Sequence, residues 1–80
     1  MSKLWSVKEI GRLIGISGET IKDWDNASLI PRSARIGQAR KRVWGKSNVI
    51  AILTYARDTL NYPIPPRVFN EVAEYETEKR

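Results

Sequence analysis

Ser6-Val-Lys-Glu-Ile-Gly-Arg-Leu-Ile-Gly-Ile-Ser-Gly-Glu-Thr-Ile-Lys-Asp-Trp24 reads as two short helices and the tight turn between them. Ser6 and Glu9 form a capping box, in which the hydroxyl accepts the Glu9 N–H and the carboxylate reaches back to the Ser6 N–H. Trp5 and Ile10 occupy the positions of a hydrophobic staple, and Ile10, Leu13 and Ile14 continue one apolar stripe. Gly15 supplies the stop. Ser17 is then the N-cap of a second helix, on which Ile21 and Trp24 share a face. With Ile16, Ile21 and Trp24 turned toward the first helix, Glu19, Thr20, Lys22 and Asp23 are left on the outward surface.

Downstream, residues 26–28 are turn-like, and Leu29-Ile30-Pro31 is an apolar anchor that ends in a helix breaker. Residues 32–46 follow with six basic side chains (Arg32, Arg35, Arg40, Lys41, Arg42 and Lys46) and no acidic one. Around Gly37, residues 33–36 and 40–44 are expected to pair as a short hairpin, with Val43 alternating against Arg42 and Trp44. Val49, Ile52, Leu53, Ala56 and Leu60 predict a core helix over residues 47–60. Asn61-Tyr62-Pro63 breaks it, and Pro65-Pro66 opens a last helix with Val68, Phe69, Val72 and Tyr75 inward. Residues 76–80 carry no apolar anchor and should fray as an acidic tail. The fold class is mostly α, about four helices with a small β-hairpin, in one domain over residues 1–80.

The formal charge of +5 comes wholly from residues 32–46, because outside them eight basic residues face nine acidic ones. A polyanion is the expected partner of that segment. The chain has no Cys and no His. The commonest metal ligands, a thiol nucleophile and a serine–histidine relay are therefore missing, Asp and Glu form no paired constellation, and neither an enzyme nor a cofactor is expected. The longest apolar run, residues 49–53, is far too short to span a membrane, and no secretory leader is recognisable, so the expected location is cytoplasmic, as for a prokaryotic or phage-type nucleoid-associated protein.

Helix, tight turn, helix, basic hairpin, helix and short helix, in this order, resemble the DNA-binding domain of the MerR-type regulators. The likeness is carried by Trp5-Ser-Val-Lys-Glu-Ile10 with Gly15-Ile-Ser17, by Thr20-Ile-Lys22 followed by Trp24-Asp25, by Leu29-Ile-Pro31, and by Arg42-Val-Trp44 ahead of Val49. It implies a winged helix-turn-helix. The second helix would enter the major groove as the recognition helix, and the hairpin would be a wing, about residues 32–44, gripping the flanking phosphates. By position, Thr20 and Lys22 match recognition-helix contacts, Arg42 matches the wing arginine, and Trp44 stands where the family usually has tyrosine. Glu19 and Asp23 replace the arginine and tyrosine common there. A carboxylate near a base edge accepts from cytosine N4, whereas near phosphate it repels. The full-length regulators continue into a dimerising helix and an effector domain; a minimal DNA binder and a piece of a longer chain both fit residues 1–80.

The expected function is sequence-specific binding of double-stranded DNA by a small transcription regulator, as cooperating monomers on direct repeats. Ser17, Glu19, Thr20, Lys22 and Asp23 are the recognition-helix candidates, with Ser17 combining capping and a phosphate contact. The six basic residues from Arg32 to Lys46 are the wing candidates. An excisionase, a recombination directionality factor that lines copies along an attachment site, fits the same pattern. A different class of reading is a protein-interaction adaptor, such as a small DNA-packaging subunit, docking a partner through the acidic helix over residues 71–78. Trp5, Trp24 and Trp44 are expected in the core and not as stacking platforms for single-stranded bases.

Overall fold

In the computed structural model, which describes residues 3–74, four helices and a three-stranded antiparallel sheet make one mostly helical unit. The first helix, α1 (Val7–Ile14), starts at the anticipated capping box: Ser6 Oγ accepts the Glu9 N–H at 3.2 Å and Glu9 Oε1 accepts the Ser6 N–H at 2.9 Å. Lys3 Nζ donates to Glu9 Oε2 at 2.9 Å. That hydrogen bond first, and the Ser6 N–H second, hold the Glu9 carboxyl below its ordinary pKa. The helix ends where Gly15 adopts φ 91°, and both Gly15 and Ile16 donate their N–H groups to the Gly11 carbonyl.

The turn into α2 (Gly18–Asn26) brings its backbone close against α1 at Gly11. A Cβ built on Gly11 would lie 2.7 Å from the Ile16 carbonyl oxygen, so glycine is required there by the close approach of backbone. Ile21, Trp24 and Asp25 form the buried face of α2. The helix runs two residues beyond Trp24, through Asn26, which was expected in the turn. Ser28 then reverses the chain with φ 61°, burying Ile30 while Leu29 stays exposed.

The hairpin forms from β2 (Ala34–Ile36) and β3 (Lys41–Trp44), with Ala34 opposite Val43, Arg35 opposite Arg42 and Ile36 opposite Lys41. Gly37 and Arg40 carry the positive φ values of the turn, 72° and 55°. The sheet has one strand more than the sequence suggested. Trp5–Ser6 is β1 and pairs with β3, Trp5 against Trp44 and Ser6 against Val43, so β3 is central and the start of α1 is tied to the hairpin.

The core helix α3 (Lys46–Asp58) buries Val49, Ile52, Leu53 and Ala56. Leu60, assigned to that face by its spacing, lies beyond the Thr59 cap and is 37% exposed. A 3.6-residue period continues in the sequence after the helix carrying it has ended. Ile64, with no period to announce it, is buried in the connection to α4 (Pro66–Glu74). On α4, Val68 and Val72 are buried, and Phe69 is half-buried beneath the Arg57 guanidinium at 4.7 Å. Tyr75, the tail over residues 76–80 and the end of the acidic segment 71–78 lie outside the described residues.

All three tryptophans are core residues, between 1% and 8% exposed. Trp24 packs edge-on to Tyr55, and Trp44 Nε1 donates to the Pro31 carbonyl at 2.7 Å, so its one polar atom is satisfied. Rings enclosed in this way are not available to stack on bases. No helix among the described residues is long and apolar enough to cross a membrane.

Candidate nucleic-acid interface

Helix α2 turns Ser17, Glu19, Lys22 and Asp23 to solvent, with Thr20 half-buried beside them. Glu19, Lys22 and Asp23 are outward as expected when Ile21 and Trp24 point inward, whereas Thr20, expected outward with them, is half-buried. Ser17 has the extended N-cap backbone, but its hydroxyl accepts no backbone N–H; it lies 3.3 Å from Thr20 Oγ1. The expected side-chain cap is therefore not made. Lys22 Nζ reaches Glu19 Oε2 at 3.5 Å, an exposed i,i+3 pair of little energetic weight.

The six basic residues of 32–46 have different surroundings. Arg32, Arg35, Arg40 and Lys41 are exposed. Arg42 is held: its Nη1 donates to Asp25 Oδ2 at 3.0 Å and lies 3.4 Å from the Lys22 carbonyl, and its side chain is 18% exposed. Asp25 also accepts the Ser33 hydroxyl at 2.7 Å and the Ser33 N–H at 3.3 Å. One buried carboxylate thus joins α2 to both limbs of the hairpin. It also offsets one charge of the Arg35 and Arg42 cross-strand pair, which would otherwise set like charges directly opposite. Lys46, at the start of α3, donates to the Ala73 carbonyl of α4 at 3.1 Å.

Between the hairpin, the start of α2 and α1 runs an open groove of about 920 Å³. Lys8, Arg12, Lys22, Arg40, Lys41 and Arg42 line it, with Glu19 as the only acidic group in the lining. Ser17 and Gly18 are also in its wall, whereas Arg32, Arg35, Thr20, Asp23 and Lys46 are not. With Arg42 matched by Asp25, and Lys22 beside Glu19, four cations of the lining make no ion pair among the described residues: Lys8, Arg12, Arg40 and Lys41. A concave wall bearing several unmatched cations concentrates polyanions.

Three residues of this region did not emerge as site candidates from the sequence. Lys8 and Arg12 stand four apart on the polar face of α1, a visible spacing, but the face bordering the hairpin depends on the β1 and β3 pairing. Asp25 completes the i, i+3, i+4 pattern of Ile21 and Trp24, and a carboxylate in a buried stripe is the signal that marks it.

No family model, curated protein or solved structure matches the chain.

Proposed function

We propose that the chain is a sequence-specific double-stranded DNA-binding protein of the winged helix-turn-helix type, serving as a small transcription regulator whose copies bind side by side on direct repeats. The observation that carries the reading is the placement of the exposed α2 surface beside the exposed cations of the hairpin, with a cationic groove between them. In it, α2 is the recognition helix, with Thr20 and Lys22 at or near base edges and Glu19 facing cytosine N4. The hairpin is the wing. Phosphate contacts from Arg32, Arg35, Arg40 and Lys41 set position and affinity, and α2 sets sequence.

The reading differs from a count of basic residues in its treatment of Arg42. That side chain is a structural tie between hairpin and α2, and its charge is matched within the protein. Four hairpin contacts correspond to a slope of log K against log salt of about −4, at roughly −0.9 for each phosphate neutralised. Selection of bound fragments from a random duplex pool, followed by salt titration on the selected site, tests this. A recovered motif in direct repeats and a slope at least that steep are expected, any further phosphate contact adding roughly −0.9. In the same titration Arg40→Ala should flatten the slope by about 1, as loss of one phosphate contact requires. A slope near zero for the unaltered protein would remove the DNA reading altogether.

A further inference from the structure

We infer that the groove seats a single sugar-phosphate strand and that Lys8 and Arg12 of α1 are phosphate-contacting residues, so α1 forms one wall of the DNA interface. The inference rests on the DNA-binding reading and extends it to an element that is neither the recognition helix nor the wing.

Lys8 and Arg12 lie four apart on one face of α1, and both are exposed. Neither makes an ion pair among the described residues. Arg40 and Lys41 of the hairpin line the same groove and are equally unmatched among the described residues. Two pairs of cations from two different elements, α1 and the hairpin, therefore line one trough together with the small or apolar groups of Val7, Ile16 and Gly18. A DNA strand suits that arrangement, because it carries evenly spaced negative charge on an otherwise apolar sugar edge. The pairing of Trp5–Ser6 with β3 fixes the spacing of the walls by joining the start of α1 to the hairpin. Glu19, the one carboxylate in the lining, lies 3.5 Å from the Lys22 ammonium, which reduces its repulsion of a phosphate. Contacts of this kind carry no sequence information, so α1 should contribute affinity and leave the choice of site to α2.

The test is the double variant Lys8→Ala/Arg12→Ala in the full chain, titrated with salt on the selected duplex and on a scrambled one. Loss of two phosphate contacts should flatten the slope by about 2 and weaken binding roughly tenfold to a hundredfold near 0.1 M salt, equally for both duplexes. The recovered motif should be unchanged. An unaltered slope beside a normal wild-type slope overturns the inference and leaves the DNA reading standing; a wild-type slope near zero overturns that reading instead. A changed motif would make these residues base readers and also overturn the inference. Competition by a polyglutamate peptide as strong as that of duplex at equal charge would make the groove a site for acidic protein, with the same result. Should the variant fail to fold, amide shifts of the wild type on adding a short duplex decide. Perturbation of Lys8 and Arg12 supports the strand, and shifts confined to α2 and the hairpin refute it.

Discussion

Replacing Asp25 by alanine should be the most damaging single change to the hairpin, and its size follows from the surroundings of the carboxylate. Asp25 is 5% exposed and accepts three hydrogen bonds, from Ser33 Oγ, Ser33 N–H and Arg42 Nη1. Removing it leaves the Ser33 N–H without that acceptor. It also leaves Arg42, whose side chain is 18% exposed, with one remaining acceptor 3.4 Å away. Breaking a buried ion pair from one side costs about 3 to 5 kcal/mol, because the other charge stays desolvated. The partial exposure of Arg42 lets it turn toward water, so the lower end, about 3 kcal/mol, applies here. A chain of 80 residues has a net stability of roughly 4 to 12 kcal/mol, so the loss is a large share of the total. At about 4 to 8 °C per kcal/mol, the melting temperature should fall by roughly 12 to 24 °C.

Urea unfolding followed by tryptophan fluorescence measures this, since Trp24 and Trp44 are both buried. A double-mutant cycle with Asp25→Asn and Arg42→Met separates the pair from its surroundings. The double variant should be more stable than the sum of the two single losses implies, by at least about 1 kcal/mol, because neither charge is then stranded. The DNA assay supplies an independent check: Arg42→Met, corrected for folded fraction, should leave the salt slope near the wild-type value. An Asp25→Ala loss below about 1 kcal/mol would place the pair among exposed ones and refute the reasoning.

Two further substitutions probe α1. Gly11→Ala would normally stabilise a helix interior by roughly 0.5 to 1 kcal/mol. Here the new Cβ would lie 2.7 Å from the Ile16 carbonyl oxygen, so a net loss of about 1 to 2 kcal/mol in urea unfolding is expected, and a gain would show that the turn relaxes freely. Glu9→Gln keeps an acceptor for the Ser6 N–H but removes the charge facing Lys3. Because the folded carboxyl titrates below its ordinary value, its contribution is present above the unfolded pKa and is lost as pH falls through the folded one. The stability gap between wild type and Glu9→Gln should therefore be present at neutral pH and close in acid; a gap independent of pH in unfolding titrations would contradict the Lys3 assignment.

The elements legible in the sequence were those specified by neighbours. The capping box of Ser6 and Glu9, the Gly15 stop and the i, i+3, i+4 stripes each act within a turn or two of helix, and α1, the following turn and α2 form as they dictate. The exposed positions of Glu19, Lys22 and Asp23 follow from the same periodicity, which also turned Thr20 outward although the fold half-buries it. The third strand was not legible, because two residues have no alternation to read and Trp5 already had a role as a staple. Its partner, β3, is contributed by a distant part of the chain. Leu60 shows the converse error, an apolar period that outlasts its helix. Arg42 shows what a charge run cannot reveal, that one of its members faces a carboxylate which only the fold brings near.

Charge counted along the chain and charge presented to a partner are therefore different quantities here. Of the six cations in residues 32–46, Arg42 is matched by Asp25 and Lys46 reaches the Ala73 carbonyl on α4; four remain on the exposed hairpin. The pairing of β1 with β3 brings the start of α1 to the hairpin, and Lys8 and Arg12 line the same groove as Arg40 and Lys41. Tertiary structure thus matches one charge of the segment that looked most basic, ties a second to α4, and adds two from a segment that looked neutral. On the proposed DNA-binding reading, affinity is tied to folding, since separating hairpin from α1 would divide the cations of the groove between unconnected surfaces. Substitutions at Asp25 should accordingly weaken DNA binding through the geometry of the groove, although Asp25 itself carries no charge that attracts phosphate.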